Sequence, residues 1–280
     1  MSNPACPTDD AYFAVAVGQA GEPSCSTLVH GTSHRTLAVS EEVRWHLPEE
    51  EPVALVYNRR SFAVMLASPA DLEDFGLGFS LCEGIIVGAA ELQDLEIRRV
   101  EAGLTVQMTI PSVRAAALMG RRRALEGRSG CGLCGIESLE ALRQTPPRVQ
   151  APRVEPAAIA SAFDQLNDHQ PMRAINHSVH GAAWCDRFGR IMLAREDVGR
   201  HTALDKLIGA MSRHGLDFAD GFAVMSSRCG FELVQKAAAV GIGLLASVSA
   251  PTTMALSMAR KAGMTLAVSA RGKGIVLLND

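Results

Sequence analysis

Two cysteines with a spacing suited to sulfur chemistry, Cys131 and Cys134, lie in the segment SGCGLCG at residues 129–135. The following residues, IESLEALRQ, have apolar positions at helical spacing, so the sequence predicts that the pair precedes a helix. A helix N-terminus, with Arg128 nearby, lowers the pKa of a thiol and makes the thiolate available. A thiolate can attack sulfur, carry a persulfide or bind a metal ion. The flanking glycines favour a mobile loop that presents the thiolate of a group carrier.

Three other interpretations of the cysteine pair stay open. A structural zinc site needs a second pair of ligands. Cys185 and Cys229 are candidates for that pair, although they are not spaced as in a zinc knuckle. A redox dithiol of the thioredoxin type is weakened because no β-α-β pattern leads into the motif. The third interpretation is an inert pair.

A zinc-dependent nucleobase deaminase also combines an α/β sheet with a histidine and a C-x-x-C motif. Its chemistry needs H-x-E, whose glutamate moves protons, and P-C-x-x-C. Here Ala182 stands where that glutamate would follow His180, and Gly130 precedes Cys131. The sequence therefore disfavours deamination.

Small hydroxyl-bearing segments follow three predicted strands in the last third of the chain, at 226–228, 249–252 and 269–272. In a parallel sheet, ligands bind beyond the carboxyl ends of the strands. Two of the segments run into helix N-termini, which favour an anion, and Arg228 and Arg271 could hold a phosphate or a purine ring. The pattern favours a nucleotide-like ligand, while ordinary helix caps remain the alternative.

Charged residues are concentrated in the segment REDVGRH at 195–201, between a predicted strand and a predicted helix. A capping carboxylate explains Asp197 without any function. The density of acidic, basic and imidazole groups around Gly199 is less easily explained in this way. His180, in a neighbouring predicted strand, is on its own more typical of a hydrogen-bonded structural histidine.

The elements that must position these residues are most regular in the last third of the chain. Short apolar strands alternate with helices of about a dozen residues. This alternation indicates right-handed crossovers and a parallel sheet with both faces covered. The predicted helices are 201–215, 231–241 and 252–263, and the predicted strands are 221–226, 242–248 and 265–270.

The middle of the chain predicts a smaller α+β unit. Two strands joined by a polar turn begin at Pro52. A helix opens at Ser68, whose hydroxyl is a predicted cap, and ends near Gly84. A second strand pair covers 94–110, and an arginine-rich helix follows at 112–126.

These patterns predict an α/β fold with a C-terminal parallel or mixed sheet, flanking helices and a smaller α+β N-terminal domain. Four prolines in a short polar stretch mark a linker. The predicted division is a poorly ordered N-terminus at 1–35, an α+β domain at 36–143 that ends in the cysteine loop and its helix, the linker at 144–156 and an α/β cofactor-binding domain at 157–280.

Composition excludes several classes of protein. The 280 residues include 27 Lys and Arg against 30 Asp and Glu, so a formal net charge of −3 provides no global field for nucleic acid or anionic lipid. The uncharged run between Lys236 and Arg260 is interrupted by Gly241, Gly243 and Pro251. It therefore predicts a buried strand and a helix rather than a membrane span. We expect neither a nucleic-acid nor a membrane partner.

The seven cysteines are odd in number and dispersed, which is unlike the disulfide framework of a secreted protein. The first residues, MSNPACPTDD, lack a basic and then apolar signal. We therefore expect the protein in a reducing cytoplasm, and we assign no metal ligands.

Longer blocks give a more specific indication, namely PADLEDFGLGFSLCEGII (69–86), GCGLCG (130–135), REDVGRHTALDKLIG (195–209), FELVQKAA (231–238) and SAPTTMALSMARKAGMTLAVSARG (249–272). Over about residues 50 to 275, the chain resembles the formate dehydrogenase accessory sulfurtransferases, which are sulfur carriers for molybdenum cofactor maturation. The resemblance implies a fold similar to that of cytidine deaminases, without their zinc chemistry, and a homodimer.

The resemblance implies a protein that takes persulfide sulfur from a cysteine desulfurase and passes it to the molybdenum or tungsten bis-pterin guanine dinucleotide cofactor. The formate dehydrogenase apoenzyme then receives the sulfurated cofactor. Cys131 is implied as the persulfide-bearing residue and Cys134 as its partner. The stretch from Val268 to Lys273 is similar to the family's segment that contacts the guanine nucleotide, so GDP is expected to mimic the cofactor.

Most candidate cofactor-binding residues lie at or just beyond the ends of the predicted strands. Arg200 is in the charged segment REDVGRH, and His180 is in a neighbouring predicted strand. Cys229, next to this set, is either a second cysteine that receives the sulfur (a second sulfur stop) or, more simply, a small buried side chain that fills space in the apolar core. The set comprises Val268, Ser269, Ala270, Arg271, Gly272, Lys273, Ser249, Thr252, Ser227, Arg228, His180 and Arg200.

Two alternatives to a sulfurtransferase remain. A non-catalytic chaperone would bind the molybdenum cofactor and hand it to formate dehydrogenase, and neither cysteine would be essential. A zinc-stabilised interaction module would contain near-stoichiometric zinc and unfold with a chelator. Arg121, Arg122 and Arg123 either dock an acidic partner or form an exposed helix face.

Overall fold

The structure, a computed structural model, describes residues 26–36, 39–125, 146–270 and 274–278. Within these ranges the chain forms β-strands and α-helices in both halves. The strands are β1 (Ser26–Thr36), β2 (Val39–Pro48), β3 (Glu51–Tyr57), β4 (Arg60–Ala67), β5 (Asp94–Val100), β6 (Gly103–Thr109), β7 (His180–Asp186), β8 (Ile191–Asp197), β9 (Gly221–Arg228), β10 (Leu244–Ser249), β11 (Thr265–Ala270) and β12 (Gly274–Leu278). The helices are α1 (Leu72–Cys82), α2 (Ser112–Leu125), α3 (Pro156–Gln165), α4 (Pro171–Asn176), α5 (Arg200–Arg213), α6 (Phe231–Val240) and α7 (Thr253–Ala262).

The C-terminal half contains a six-stranded mixed sheet in the order β12-β11-β10-β9-β7-β8. Strands β9, β10 and β11 are parallel, and helices α6 and α7 connect them. Strands β7, β8 and β12 run antiparallel to their neighbours. The α/β pattern of the last third is thus confirmed, and the sheet is mixed. Its relation to the fold of cytidine deaminases stays a prediction.

Alternating side chains of this sheet pack into two core clusters, because successive residues of a strand point to opposite faces. On one face, Met225 and Leu245 belong to a cluster with residues of α5, α6 and α7. On the other face, Val224 and Ala246 pack in a cluster with Ile159 of α3. With both faces covered, the ends of the strands are the natural place for a ligand.

The uncharged run between Lys236 and Arg260 holds β10 and most of α7. The first four residues of β10 are buried in the sheet, which confirms the predicted buried strand and following helix. Among the described residues, no helix is both long and apolar enough to cross a membrane.

A second sheet has the order β4-β3-β6-β5 and packs against α1. Asn58 and Arg59 connect β3 to β4 with φ angles of 47° and 66°, as a type I′ hairpin turn requires. The side chain of Asn58 also donates to and accepts from the backbone of Ile110, which fixes the turn. The predicted hairpin and the second strand pair are confirmed.

Helix α1 begins later than the sequence predicts. Its N-cap is Asp71, which has a left-handed φ of 51°, and no side chain caps the helix. Ser68 is fully buried instead, where its N–H donates to Asp197 and its carbonyl oxygen accepts from Lys206. The predicted capping role of Ser68 is wrong because these distant partners hold the segment outside the helix.

A close crossing of α1 and α5 joins the two sheets. A Cβ atom on Gly78 would lie 1.7 Å from the carbonyl oxygen of Asp205, and one on Gly209 would lie 1.9 Å from that of Asp74. Since no side chain fits at either position, the two glycines let the helix backbones touch. The crossing holds the N-terminal sheet against α5, whose first residue is the candidate Arg200.

The described part of the predicted linker, residues 146–155, lies along the C-terminal sheet. The N–H of Val149 donates to the carbonyl oxygen of Ala262 at the end of α7. A Cβ atom on Gly243 would lie 2.1 Å from the carbonyl oxygen of Gln150. These residues form neither helix nor strand, and α3 begins directly after them with proline at its first position.

Strands β1 and β2 form a separate antiparallel ribbon. The sequence predicts a poorly ordered N-terminus at 1–35, which is wrong for residues 26–35 because they belong to β1. Pairs from Ser26 with Pro48 to Thr36 with Val39 supply the backbone partners. Partners of this kind depend on the second strand, so the composition of β1 alone does not reveal them.

Candidate functional site

Three parallel strands end at one edge of the six-stranded sheet and bring the predicted segments together. Met225 of β9 is paired with Ser247 of β10, and Ser247 is paired with Val268 of β11. Further along, Arg228 lies opposite Ser249. The three strand-end segments therefore line one continuous edge.

Strand β7 brings His180 to the same edge because it runs antiparallel to β9. The N–H of Gly181 donates to Oγ of Ser226 over 2.8 Å, and His180 pairs with Asp197 across β7 and β8. Helix α5 begins at Arg200, shortly after Asp197. The structure thus places the candidates His180 and Arg200 beside the strand ends.

Two candidate residues at this edge form hydrogen bonds with the backbone of their own segment. Oγ of Ser227 donates to the carbonyl oxygen of Arg228 over 3.1 Å. Thr252 is the N-cap of α7, where its Oγ1 accepts the N–H of Ala255. The helix-cap interpretation therefore holds for Thr252, while Arg228 and Ser249 are exposed.

Residues 268–270 end β11 and are half-buried. The next strand, β12, pairs Gly274 with Ala270, so the chain turns back at this edge. Residues 271–273, which complete the stretch predicted to contact a guanine nucleotide, lie outside the described residues. Ala270 and Gly274, the described residues on either side of 271–273, lie opposite each other at this edge.

Three buried polar atoms near the start of α5 have no hydrogen-bond partner among the described residues: Nδ1 of His180, Nε of Arg200 and Nε2 of His201. A buried polar atom without a partner is costly, so such a cluster indicates a place for a ligand or ordered water. The N-cap of α5 is Gly199, which has no side chain to bond the N–H groups of the first turn. These features favour an anion.

Both histidines of this cluster are neutral near pH 7. Burial, aided by the charges of Arg200 and Lys236, lowers the pKa of His201 to about 4. Burial and the charges of Arg200 and Arg173 also lower the pKa of His180 below its ordinary value. A neutral imidazole has one N–H donor, so the histidines can donate to an anion whose charge Arg200 balances.

The N-terminus of α6, directly after β9, also has no side-chain cap. Its N-cap is Gly230. Glu232 folds back towards this end, since its Oε2 would lie 2.7 Å from a Cβ atom on Gly230. The same oxygen is 3.8 Å from Nε2 of His201, a pair that becomes ionic only when the imidazole is protonated. His201 and Glu232 were absent from the candidate set, although the REDVGRH motif contains the histidine.

Most charges of the REDVGRH segment stabilise the fold. Oδ2 of Asp197 is 2.7 Å from Nζ of Lys206, and Oδ1 accepts the N–H of Gly199. The carboxylate of Glu196 accepts two backbone N–H groups at the start of α4. Arg195 donates to a carboxylate of α1 over 2.8 Å. Arg200 and the histidine after it are therefore the part of the motif available to a ligand.

A second buried ion pair holds α6 against α5. Nζ of Lys236 lies 2.9 Å from Oδ1 of Asp205 and 3.2 Å from Oε1 of Glu83, and it faces the ring of Phe79. Burial raises the pKa of Asp205 to about 6 despite the lowering effect of the lysine. Sequence reasoning missed this pair because its members lie on different helices, 31 residues apart.

Cys131 and Cys134 lie outside the described residues. The described cysteines Cys82, Cys185 and Cys229 are free and buried. Burial raises the pKa of all three thiols, and that of Cys229 reaches about 12. Because a protonated thiol is a poor nucleophile, the structure supports Cys229 as an apolar filler and argues against a second sulfur stop.

The second zinc-ligand pair considered from the sequence, Cys185 with Cys229, does not form. Cys185 packs in the cluster on the α3 face of the sheet, whereas Cys229 packs with α5, α6 and α7 on the other face. Among the residues that the structure describes, no group of three His, Cys, Asp or Glu side chains is placed to hold a metal ion.

Known proteins resemble this chain along most of its length. Residues 48–279 match the FdhD/NarQ family. Over 229 residues the chain is 50% identical to the sulfur carrier protein FdhD of Xanthomonas axonopodis pv. citri, with 81% of this chain and 82% of that protein covered. Over 219 residues it is 51% identical to the sulfur carrier protein FdhD of Bordetella petrii, with 78% and 79% covered.

The fold is also similar to a solved structure. The crystal structure of a proposed formate dehydrogenase accessory protein from Desulfotalea psychrophila superposes with a TM-score of 0.70 at 24% identity. The match covers 91% of this chain and 97% of that one. At this level of identity the likeness concerns the fold.

Proposed function

The chain belongs to the FdhD/NarQ family, and from this premise we propose that it is a sulfur carrier in formate dehydrogenase maturation. It accepts persulfide sulfur from a cysteine desulfurase and transfers it to the bis-pterin guanine dinucleotide molybdenum cofactor. The sulfurated cofactor then enters the formate dehydrogenase apoenzyme. In this proposal the protein acts as a sulfurtransferase and works as a homodimer.

The proposed binding of the cofactor rests on one observation, the cluster of His180, Arg200 and His201. Its buried polar atoms lack partners among the described residues, and it lies at an uncapped helix N-terminus. Each guanine nucleotide of the cofactor carries phosphates, which suit a helix N-terminus beside an arginine. The half-buried end of β11, residues 268–270, is then available to a guanine base.

The proposed transfer of sulfur is supported by relatives named as sulfur carriers and by the motif that contains Cys131. The Cys131 thiolate attacks the outer sulfur of the desulfurase persulfide. A new S–S bond forms on Cys131, the donor's S–S bond breaks, and the donor cysteine leaves as a thiolate. The exchange involves no net oxidation or reduction. Cys134 is the partner thiol of the same motif.

The residues at the sheet edge act mainly by positioning the acceptor. Both histidines are neutral near pH 7, so they hold phosphate oxygens as donors while Arg200 supplies charge. The buried pairs Asp197 with Lys206 and Asp205 with Lys236 fix the helices that carry these donors. A fixed acceptor lowers the entropic cost of sulfur transfer.

A cellular test separates sulfur transfer from cofactor binding. The Cys131→Ala variant is expressed in a bacterium that lacks its own carrier, and formate dehydrogenase activity is measured there. We expect activity to be lost, while the purified variant binds GDP with unchanged affinity. Cys229→Ala is the matched control and keeps activity, because this thiol is buried and unreactive. Full activity with Cys131→Ala overturns the sulfur-carrier function.

A second function, a cofactor-binding chaperone without sulfur transfer, is favoured by one observation. Cys229, the described cysteine beside the sheet edge, is a buried thiol with a raised pKa, so the described part of the site offers no reactive thiol. A chaperone would keep formate dehydrogenase activity in Cys131→Ala and in Cys134→Ala, and would lose it in Arg200→Gln. The cysteine variants therefore give opposite results for the two functions.

A further inference from the structure

A cleft of about 350 Å³ lies in the N-terminal sheet, between the β3–β4 hairpin and the first half of α2. Its lining residues all come from these two elements and the turn within the hairpin. None of them belongs to the six-stranded sheet. The proposed cofactor site therefore makes no use of this cleft.

The interior of the cleft is apolar. The rings of Tyr57 and Phe62 meet edge to face, with centroids 5.8 Å apart, and both line the cleft. Helix α2 contributes the buried Leu118 together with Ala115 and Ala116, whose small side chains leave space. A cleft of this size with aromatic walls suits a large apolar side chain supplied by a partner.

The rim of the cleft is polar and positively charged. Asn58, Arg60 and Ser61 line it, and the exposed Arg59 lies in the same turn. The side chain of Asn58 makes two hydrogen bonds with the backbone of Ile110, and these bonds fix the turn. The arginines give the rim its positive charge.

Helix α2 adds to this positive charge. It contains four arginines and no acidic residue. Arg114 is paired with Glu91 over 3.0 Å, and the other three arginines occupy 121–123. The whole chain has a net charge of −3, so the positive charge of the hairpin and α2 is a local feature that favours an acidic partner.

The cleft is also near the cysteine motif along the chain. Helix α2 ends at Leu125, and Cys131 follows six residues later. Six residues span at most about 20 Å, so Cys131 is tethered within that distance of the end of α2. A protein held by α2 can therefore be reached by this thiol.

We propose that the cleft is the docking site for an acidic protein surface that presents one large apolar side chain, and that this protein is the persulfide donor. The inference rests on the proposed sulfur-carrier function. The apolar side chain is the anchor in the cleft. Arg59 and Arg60 of the hairpin attract and orient the acidic surface around it.

Two variants of the full chain test the two parts of this surface. Ala116→Trp fills the cleft, and Arg60→Glu reverses a charge at its rim. Ala157→Trp, at an exposed position on α3, and Arg260→Glu, at an exposed position on α7, are the matched controls. Circular dichroism and thermal melting of all four variants establish that each is folded.

The readout is the rate at which Cys131 gains a persulfide from two donors. One donor is a cysteine desulfurase with cysteine, at a concentration below its Kd, and the other is glutathione persulfide, a small donor that needs no docking. We expect Ala116→Trp and Arg60→Glu to lose about tenfold or more of the rate with the desulfurase. Their rate with glutathione persulfide stays at the wild-type value, as do both rates of the controls.

Three possible results distinguish a failure of the docking site from a failure of the sulfur-carrier function. Equal desulfurase rates for wild type, Ala116→Trp and Arg60→Glu overturn the docking site while leaving the sulfur carrier intact. Equal losses with both donors overturn it as well, because the defect then lies in the thiol and not in docking. A wild-type protein that gains sulfur from neither donor overturns the sulfur-carrier function and the docking site with it.

Discussion

Nζ of Lys206 lies 2.7 Å from Oδ2 of Asp197, and both side chains are completely buried. The same lysine donates to the carbonyl oxygen of Ser68, whose own N–H donates to Asp197. The pair ties the segment before α1 to the end of β8, just before Arg200 begins α5. A buried ion pair with satisfied hydrogen bonds thus holds the N-terminal sheet beside the candidate cofactor site.

Removal of one member of this pair leaves the other as an unpaired buried charge. We expect Lys206→Met to lower the free energy of unfolding by about 3–5 kcal/mol, measured by urea denaturation. Lys261→Met, at an exposed position on α7, is the control and changes it little. The double variant Asp197→Asn with Lys206→Met regains part of the loss, because no charge remains unpaired. Strictly additive losses would show that the two side chains are not coupled.

The crossing of α1 and α5 tolerates no side chain at its two glycines. We expect Gly78→Ala and Gly209→Ala each to lower the free energy of unfolding by about 3 kcal/mol, since the added methyl group meets backbone atoms. Gly88→Ala is the control, because a Cβ atom there has no neighbour within 4 Å. Urea denaturation measures all three variants. Wild-type stability of Gly78→Ala would contradict the observed helix contact.

The cluster at the start of α5 predicts where the phosphates of a guanine nucleotide bind. We expect Arg200→Gln to weaken GDP binding by about tenfold or more, because it removes a charge-assisted hydrogen bond. His201→Phe weakens it too, since the ring loses its donor. Arg187→Gln, at an exposed turn, is the control and keeps the wild-type Kd. Isothermal titration calorimetry with GDP measures each value. Unchanged affinity in Arg200→Gln would place the phosphates elsewhere.

His201 titrates well below an ordinary histidine because it is buried and faces Arg200. Its pKa of about 4 compares with an ordinary value of 6.5, so between pH 6.5 and pH 4 the unfolded chain binds a proton that the folded chain does not. The stability contributed by the neutral ring is therefore present above pH 6.5 and is lost as the pH falls towards 4.

Two measurements check this pH dependence. The NMR signals of the His201 ring should titrate with a midpoint near pH 4. Between pH 6.5 and 4, His201→Gln should lose less stability than wild type in urea denaturation, because the variant has no imidazole to protonate. A midpoint near the ordinary value of 6.5, with parallel stability curves, would contradict the described environment of the ring.

Sequence patterns predicted the elements whose signals are local. Strands β9, β10 and β11 are short apolar runs between amphipathic helices, and their ends carry the predicted edge residues. The hairpin of β3 and β4 was also predicted, because a polar turn separates two apolar runs, although the positive φ angles at Asn58 and Arg59 were not. Local periodicity was therefore enough to predict most of the fold and the sheet edge at which β9, β10 and β11 end.

Long-range contacts decided the parts that the sequence did not reveal. Ser68 resembles a helix cap, but its partner Asp197 lies 129 residues away in the chain. Thr252 was in the candidate set and His201 was not, yet Thr252 caps its own helix while a buried nitrogen of His201 has no partner among the described residues. Neither distinction can be derived from one segment, because each depends on how separate elements pack.

The central claim is that Cys131 carries sulfur, and one measurement tests it most directly. The purified protein is incubated with a cysteine desulfurase and cysteine, alkylated, and analysed by peptide mass spectrometry. We predict one extra sulfur atom on Cys131, removed by reductant, with none on the buried Cys82, Cys185 or Cys229. No added sulfur on any cysteine, with the desulfurase shown to be active, would contradict the sulfur-carrier account.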